Sequence, residues 1–195
     1  MPNITDVYLP DAFRNDFVNN LNITGSTHFT PLSRIDIGAL QRYIGYREMW
    51  SCTPVDGFIE ELVIHNECNA NKITVLDLSK YLNLKNVVIG DGSFVYVNEV
   101  SIIGLSELES VVIGMNSFTQ HKNDYGNDPN RHFYLKNCPK LKSLKIGRYS
   151  FKDYTVCAIE NVDALEMIEI GDLNDNSYNF AYASLELKSI LIHSE

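Results

Sequence analysis

The sequence predicts a mainly β repeat solenoid of parallel strands, with two short strand segments in each coil of about 24 residues and little helix. Two observations lead to this prediction. The phrases "LKNVVIGDGSF" from Leu84, "LESVVIGMNSF" from Leu108 and "LKSLKIGRYSF" from Leu141 repeat one pattern, and their apolar and polar residues alternate as in a strand. The composition is globular, with 45% hydrophobic and 11% aromatic residues, so the chain is expected to fold.

The first strand of each coil is predicted from the template apolar-x-x-apolar-x-apolar followed by a turn. A second template in the same coil gives the second strand, beginning for example at Val97 and Tyr154. We therefore expect seven or eight coils in a single domain over 1–195, with irregular repeats in 1–58 and regular repeats in 59–195. The first-strand templates start at Ile4, Leu32, Ile59, Leu84, Leu108, Leu141, Leu165 and Leu187.

Stacking of the coils should bury the apolar positions in columns, because a single coil cannot bury its own apolar side. The Phe of each "SF" is expected to form a further column, and a Gly follows most first strands where the backbone turns. The expected columns are Val87, Val111, Leu144 and Ile168; Ile89, Ile113, Ile146 and Ile170; and Phe94, Phe118 and Phe151, continued by Phe13 and Phe180.

Charge and composition argue against several classes of function. The net charge of -9 and pI near 5.0 disfavour nucleic acid as a partner, and no apolar window is long enough to insert into a membrane. No signal peptide is seen, which predicts a cytoplasmic location for a complete chain and a surface or secreted location for a fragment. The four cysteines show no metal-ligand spacing, so no metal and no cofactor is expected.

The phrases "LxxLxIGxxSF" and "LKNCPKLKSLKIG" resemble the leucine-rich repeats, and are most similar to the BspA-like type of 23–24 residues. The resemblance covers 59–193 well and 1–58 loosely. It implies a curved solenoid that binds through its concave strand face, and it offers no catalytic residues to transfer. The usual Asn ladder is nearly absent, since Asn116 is matched by Gly92 and Tyr149, so the coils are not expected to rely on it.

Two outward rows can be read from the first strands. One alternates in charge, and we favour a self-neutralising ladder over a charged recognition strip for it. The other contains three consecutive valines, which indicate an interface, shielding by a flanking loop, or the ordinary β preference of Val. The first row is Glu60, Lys85, Glu109, Lys142, Glu166 and Lys188; the second is Asp36, Val63, Val88, Val112, Lys145, Glu169 and Leu191.

Two further features are candidate binding elements. The copy from Leu141 differs from its neighbours at Arg148 and Tyr149, where the copy from Leu108 has Met115 and Asn116. The insertion "QHKNDYGNDPNRH" is a loop on the scaffold, and loops of this kind often bind. Its candidate residues are His121, Asp124 and Tyr125. A metal held by His121, Asp124, Asp128 and His132 is disfavoured, because their spacing matches no known metal motif.

These observations predict a non-catalytic scaffold for protein–protein recognition. Cell-surface adhesion or carbohydrate binding is the alternative that the resemblance allows, and a structural spacer within a larger protein is a second alternative. An enzyme is disfavoured, since no single polar constellation stands out from the repeat and no Cys has a partnering His. End-to-end self-association is expected if the chain is a fragment, because an uncapped solenoid leaves strand edges unpaired.

Overall fold

A computed structural model describes residues 34–37 as backbone, and residues 59–69, 73–120 and 129–189 with their side chains. In these ranges every regular element is a β-strand. The strands are β1 (Arg34–Ile37), β2 (Glu61–Ile64), β3 (Val75–Asp77), β4 (Asn86–Ile89), β5 (Glu99–Ile103), β6 (Ser110–Ile113), β7 (His132–Lys136), β8 (Ser143–Ile146), β9 (Val156–Glu160), β10 (Met167–Ile170) and β11 (Ser184–Lys188).

The strands form two parallel sheets, which confirms the predicted β-solenoid. Sheet A has the order β1-β2-β4-β6-β8-β10, and sheet B has the order β11-β9-β7-β5-β3. Each coil therefore passes once through sheet A and once through sheet B, and the next coil pairs in parallel with both of its strands. Residues 1–33, 38–58 and 190–195 lie outside the described residues, as do the predicted repeat at Ile4, Phe13 and Leu191.

The core lies between the two sheets, in the predicted columns. Val87 pairs with Val111 and Val111 pairs with Leu144, and all three are fully buried. In sheet B the column through Val100, Phe133 and Cys157 has the same property. The thiols of Cys68, Cys138 and Cys157 serve as small core side chains. Burial raises the pKa of Cys157 to about 12, so its thiol stays protonated at neutral pH.

The Phe column is a continuous stack of rings at the corner after sheet A. Phe118 lies 5.4 Å from Phe94 and 4.7 Å from Phe151, measured between ring centroids, and Phe151 lies 4.9 Å from Phe180. All four have positive φ, between 49° and 57°, which costs a residue with a Cβ about 1–2 kcal/mol. The left-handed turn points each ring inward, and the contacts between the stacked rings offset this strain.

The Ser before each Phe forms a hydrogen-bonded spine along the interior, which we name the serine spine: Ser93, Ser117 and Ser150. The Ser93 amide donates to Ser117 Oγ (3.2 Å), and the Ser117 amide donates to Ser150 Oγ (3.0 Å). Each hydroxyl in turn donates to a backbone carbonyl, as Ser117 Oγ does to Gly90 (2.8 Å). The spine satisfies buried polar groups of this corner, where the sequence shows the usual Asn ladder to be nearly absent.

Gly114 shows why a glycine follows the first strand. A Cβ at this position would lie 2.3 Å from Asp91 Oδ1 and 2.6 Å from the Asp91 amide. Its φ is not positive, so the requirement is close approach rather than backbone conformation. The space is used by Asp91, whose Oδ1 accepts a hydrogen bond from the amide of Met115 (2.7 Å).

The prediction that a first strand starts at Leu187 is wrong. Leu187 lies in β11 of sheet B and pairs with Ile159, and Lys188 pairs with Glu160. The cause is an excursion over 172–176 at the corner after β10. Ser184 follows Met167 by 17 residues, whereas Glu99 follows Asn86 by 13, so the second strand of this coil comes later than the repeat predicts.

A buried ion pair lies where the described residues flank the predicted insertion over 120–132. The Arg131 guanidinium and the Asp153 carboxylate are almost fully buried and lie 2.6 Å apart. Arg131 also donates to the carbonyls of Val95 (2.9 Å) and Val97 (2.7 Å) in the preceding coil. The amide of Gln120 donates to Asp153 Oδ2 (3.2 Å), so both ends of the insertion meet one carboxylate.

Candidate functional site

The outward face of sheet A brings together half of the predicted binding residues. Val63 pairs with Val88, and Val88 pairs with Val112, so the three side chains lie next to one another across β2, β4 and β6. Each is half-buried, with its neighbours in the strand pointing inward. We name these three residues the valine row.

Charges continue the same row beyond the valines. Lys145 pairs in register with Val112, and Glu169 pairs with Lys145. Lys145 Nζ and Glu169 Oε2 form an ion pair at 2.8 Å, with both side chains about half exposed. The row therefore changes from apolar at Val112 to a pair of opposite charges at Lys145 and Glu169, in the order that the sequence predicts.

A polar row flanks the valines on one side. Ser110 Oγ donates a hydrogen bond to Asn86 Oδ1 (2.6 Å), and these residues directly precede two buried valines of β6 and β4. A narrow apolar strip with a polar border is typical of surfaces that bind proteins.

The predicted charge ladder borders this polar row, but one of its six predicted residues does not belong to it. Lys85 Nζ and Glu60 Oε1 form an ion pair at 3.0 Å, the one contact of this kind within the ladder among the described residues. Backbone hydrogen bonds stack Glu109 on Lys85 and Lys142 on Glu109. Lys188 is not a member, because it ends β11 in sheet B and pairs there with Glu186 (2.6 Å).

Arg148 and Tyr149 lie at the corner after β8, in a group that we name the corner cluster: Arg148, Tyr149, Lys152, Asp175 and Tyr178. The ring centroids of Tyr149 and Tyr178 are 6.1 Å apart, with 18° between the planes. Arg148 lies over the Tyr149 ring at 5.7 Å and Lys152 over the Tyr178 ring at 5.6 Å. Arg148 also forms an ion pair with Asp175. The sequence missed this cluster, because Tyr178 follows the excursion that breaks the repeat.

Three predicted binding residues cannot be placed. His121, Asp124 and Tyr125 lie outside the described residues. His132 is described, and its Nε2 lies 3.0 Å from the carbonyl oxygen of Pro129. Within 59–69, 73–120 and 129–189, no three His, Cys, Asp or Glu side chains are grouped so as to hold a metal.

The same ranges contain no helix that could span a membrane. In comparisons with known proteins, no family model matches this chain, and no match is found among curated proteins or among solved structures.

Proposed function

We propose that this chain is a non-catalytic scaffold that binds a protein partner through the outward face of sheet A. The observation that carries this proposal is the valine row, in which three half-buried valines lie side by side on a parallel sheet. Burying such a strip against a partner releases water from apolar surface without requiring the scaffold to change shape.

The surroundings of the row support a protein partner of mixed polarity. Lys145 and Glu169 provide both charges at one end, and Asn86 and Ser110 provide hydrogen-bonding groups beside the valines. A partner would place an apolar centre on the valines and polar groups at the border, which is the usual anatomy of a transient interface.

The corner cluster favours protein over carbohydrate. The Tyr149 and Tyr178 rings face each other, and Arg148 and Lys152 lie over them, so part of each ring face is in contact within the chain, while Tyr178 remains 52% exposed. A sugar-binding platform needs an open aromatic face on which the sugar can stack. Adhesion through carbohydrate therefore remains the second choice, and a structural spacer the third.

The test compares two pairs of Val→Asp substitutions. Val88→Asp with Val112→Asp places two charges in the valine row, and Val75→Asp with Val156→Asp places the same two charges on outward positions of sheet B. Each tagged variant is used to capture proteins from its native cell extract, and the captured proteins are quantified by mass spectrometry.

We expect a defined set of proteins to bind the unmodified chain and the sheet B variant but not the valine-row variant, while circular dichroism and the melting temperature stay similar. Equal capture by all three proteins would contradict the proposal. Capture of nothing by any of them would favour the spacer.

A further inference from the structure

The dipeptide Asn-Ser occurs twice in the sequence, and the structure places the two copies in different surroundings. Asn116 and Ser117 lie at the corner after β6, where Ser117 is fully buried in the serine spine. Asn176 and Ser177 lie at the excursion after β10, where the Asn176 side chain is exposed. The same two residues can therefore be compared at a closed corner and at an open one.

An Asn that precedes a small residue can lose its side-chain amide without an enzyme. The backbone nitrogen of the next residue loses its proton and attacks Cγ of the Asn, so that a C–N bond forms, the bond from Cγ to the amide nitrogen breaks and ammonia leaves. Water then opens the cyclic imide and leaves either Asp or isoaspartate, in which the main chain runs through the side-chain carbonyl. Nothing is oxidised or reduced, and water is the one co-reactant that the reaction consumes.

The fold holds the Ser117 amide away from this reaction. Its N–H donates to Ser150 Oγ (3.0 Å), and Ser117 Oγ donates to the carbonyl of Gly90 (2.8 Å). The nitrogen has to give up its hydrogen bond and leave the serine spine before it can attack Cγ of Asn116. That movement is costly, because it leaves a buried polar group without its partner.

The Ser177 amide is not held in this way. Among the described residues its N–H donates to no acceptor, and the Asn176 side chain makes no hydrogen bond. Ser177 is fixed instead through its oxygens. Its Oγ accepts a hydrogen bond from the Asp172 amide (2.7 Å), and its carbonyl accepts one from the Tyr149 amide (2.7 Å). The nitrogen can therefore lose its proton and attack without breaking a hydrogen bond of the fold.

We propose that Asn176 is a site of spontaneous deamidation, and that the fold protects Asn116 from the same reaction. The carboxylate that forms adds a negative charge next to Asp175, which is the partner of Arg148. The site lies outside β2, β4 and β6, which carry the valine row, so this inference does not depend on the proposed protein-binding face.

The isoaspartate product also changes the corner cluster. It lengthens the main chain just before Ser177, whose carbonyl accepts the hydrogen bond from the Tyr149 amide. We expect the Tyr149 amide of the isoaspartate product to exchange its hydrogen roughly tenfold faster. Asn176→Asp carries the same charge on a main chain of normal length, so it is the matched control and should keep the slow exchange.

The rates of the two reactions test the proposal in the full, unmodified chain. The folded chain is incubated at mildly alkaline pH, and tandem mass spectrometry of its peptides measures the product, which is about 1 Da heavier, at each Asn over time. We expect Asn176 to react at least about tenfold faster than Asn116. Asn176→Gln should remove the fast reaction and leave the rate at Asn116 unchanged, because the longer side chain forms its ring far more slowly.

A second incubation in urea separates the effect of the fold from the effect of the sequence. In the unfolded chain the two rates should agree within roughly threefold, since both sites have the same dipeptide and neither is held by the fold. Equal rates in the folded chain would overturn the proposal, as would a faster reaction at Asn116. A tenfold difference that persists in urea would also overturn it, because the fold would then not be the cause.

Discussion

The middle coils and the C-terminal coil have the same kinds of side chain in the same columns, yet only the middle coils bury them. Leu144 in β8 has no exposed surface, whereas Ile168, one strand further on, is 42% exposed. Among the described strands, β8 has a neighbour on both sides and β10 has a neighbour on one side. In this column the position with a described strand on both sides is buried, whereas Leu76 of β3 is buried although β3 pairs with β5 alone among the described strands.

The largest expected difference in stability is between two Arg substitutions. One breaks a buried ion pair in the middle of the chain, and the other breaks an exposed ion pair near the C-terminal coil. Arg131→Met removes the cation that faces Asp153 inside the core, and should lower the free energy of unfolding by about 3–5 kcal/mol. Arg148→Met removes the partner of Asp175 at the corner after β8, where both side chains contact solvent, and should cost at most about 1 kcal/mol. Urea unfolding of both variants is the measurement. Similar losses in the two would mean that the Arg131 site is not closed to water.

Leu144 and Ile168 belong to one column of the core but differ in burial. Leu144→Ala should destabilise the fold by about 2–5 kcal/mol, because it leaves a cavity in a filled interior. Ile168→Ala should cost roughly 1 kcal/mol or less in the single chain, since much of that side chain is already in water. Both variants are compared by urea unfolding at the same chain concentration. An equal cost at the two positions would show that the end is as closed as the middle.

A smaller effect is expected in the serine spine. Ser117→Ala removes the acceptor of the Ser93 amide, and a buried amide without an acceptor costs about 1–3 kcal/mol. Ser106→Ala is the control, because Ser106 is exposed at the opposite corner, and it should change stability by less than about 0.5 kcal/mol. If thermal unfolding does not distinguish the two, the spine does not stabilise the middle coils.

The smallest effect concerns the charged ladder beside the valine row. Lys85→Glu should cost about 0.2–1 kcal/mol, because both side chains of the Glu60 and Lys85 pair are about half exposed. Adding Glu60→Lys should restore the loss, and 1 M salt should reduce it. No recovery in the double variant would contradict the self-neutralising ladder.

Much of the architecture could be predicted from periodicity. The apolar columns, the Phe stack and the outward valine row follow from two features of the sequence: the alternation of apolar and polar residues, and the spacing of the repeats. Because the strands pair in parallel, equivalent residues of successive repeats become neighbours. The corner cluster and the frame of β11 could not be predicted in this way. The excursion over 172–176 moves the later residues out of step with the repeat. The same template also fits both the first and the second strand of a coil, so it does not tell which of the two strands contains Leu187.

The buried polar contacts escaped prediction for a different reason. Arg131 and Asp153 occur once and belong to no repeat, so only the folded chain brings them together. The serine spine had a visible signal, since Ser precedes Phe at 93, 117 and 150, but the sequence does not tell whether such a hydroxyl points inward. That direction depends on the left-handed turn at the following Phe, and Phe is a residue that rarely adopts it.

Amide hydrogen exchange of the dilute chain, followed by mass spectrometry, tests the contrast between the two regions most directly. We expect the amides of β6 and β8 to exchange at least about tenfold more slowly than those of β10 and β11, because strand edges open without breaking the core. Equal protection of all four strands in the dilute chain would contradict the contrast between the middle coils and the C-terminal coil.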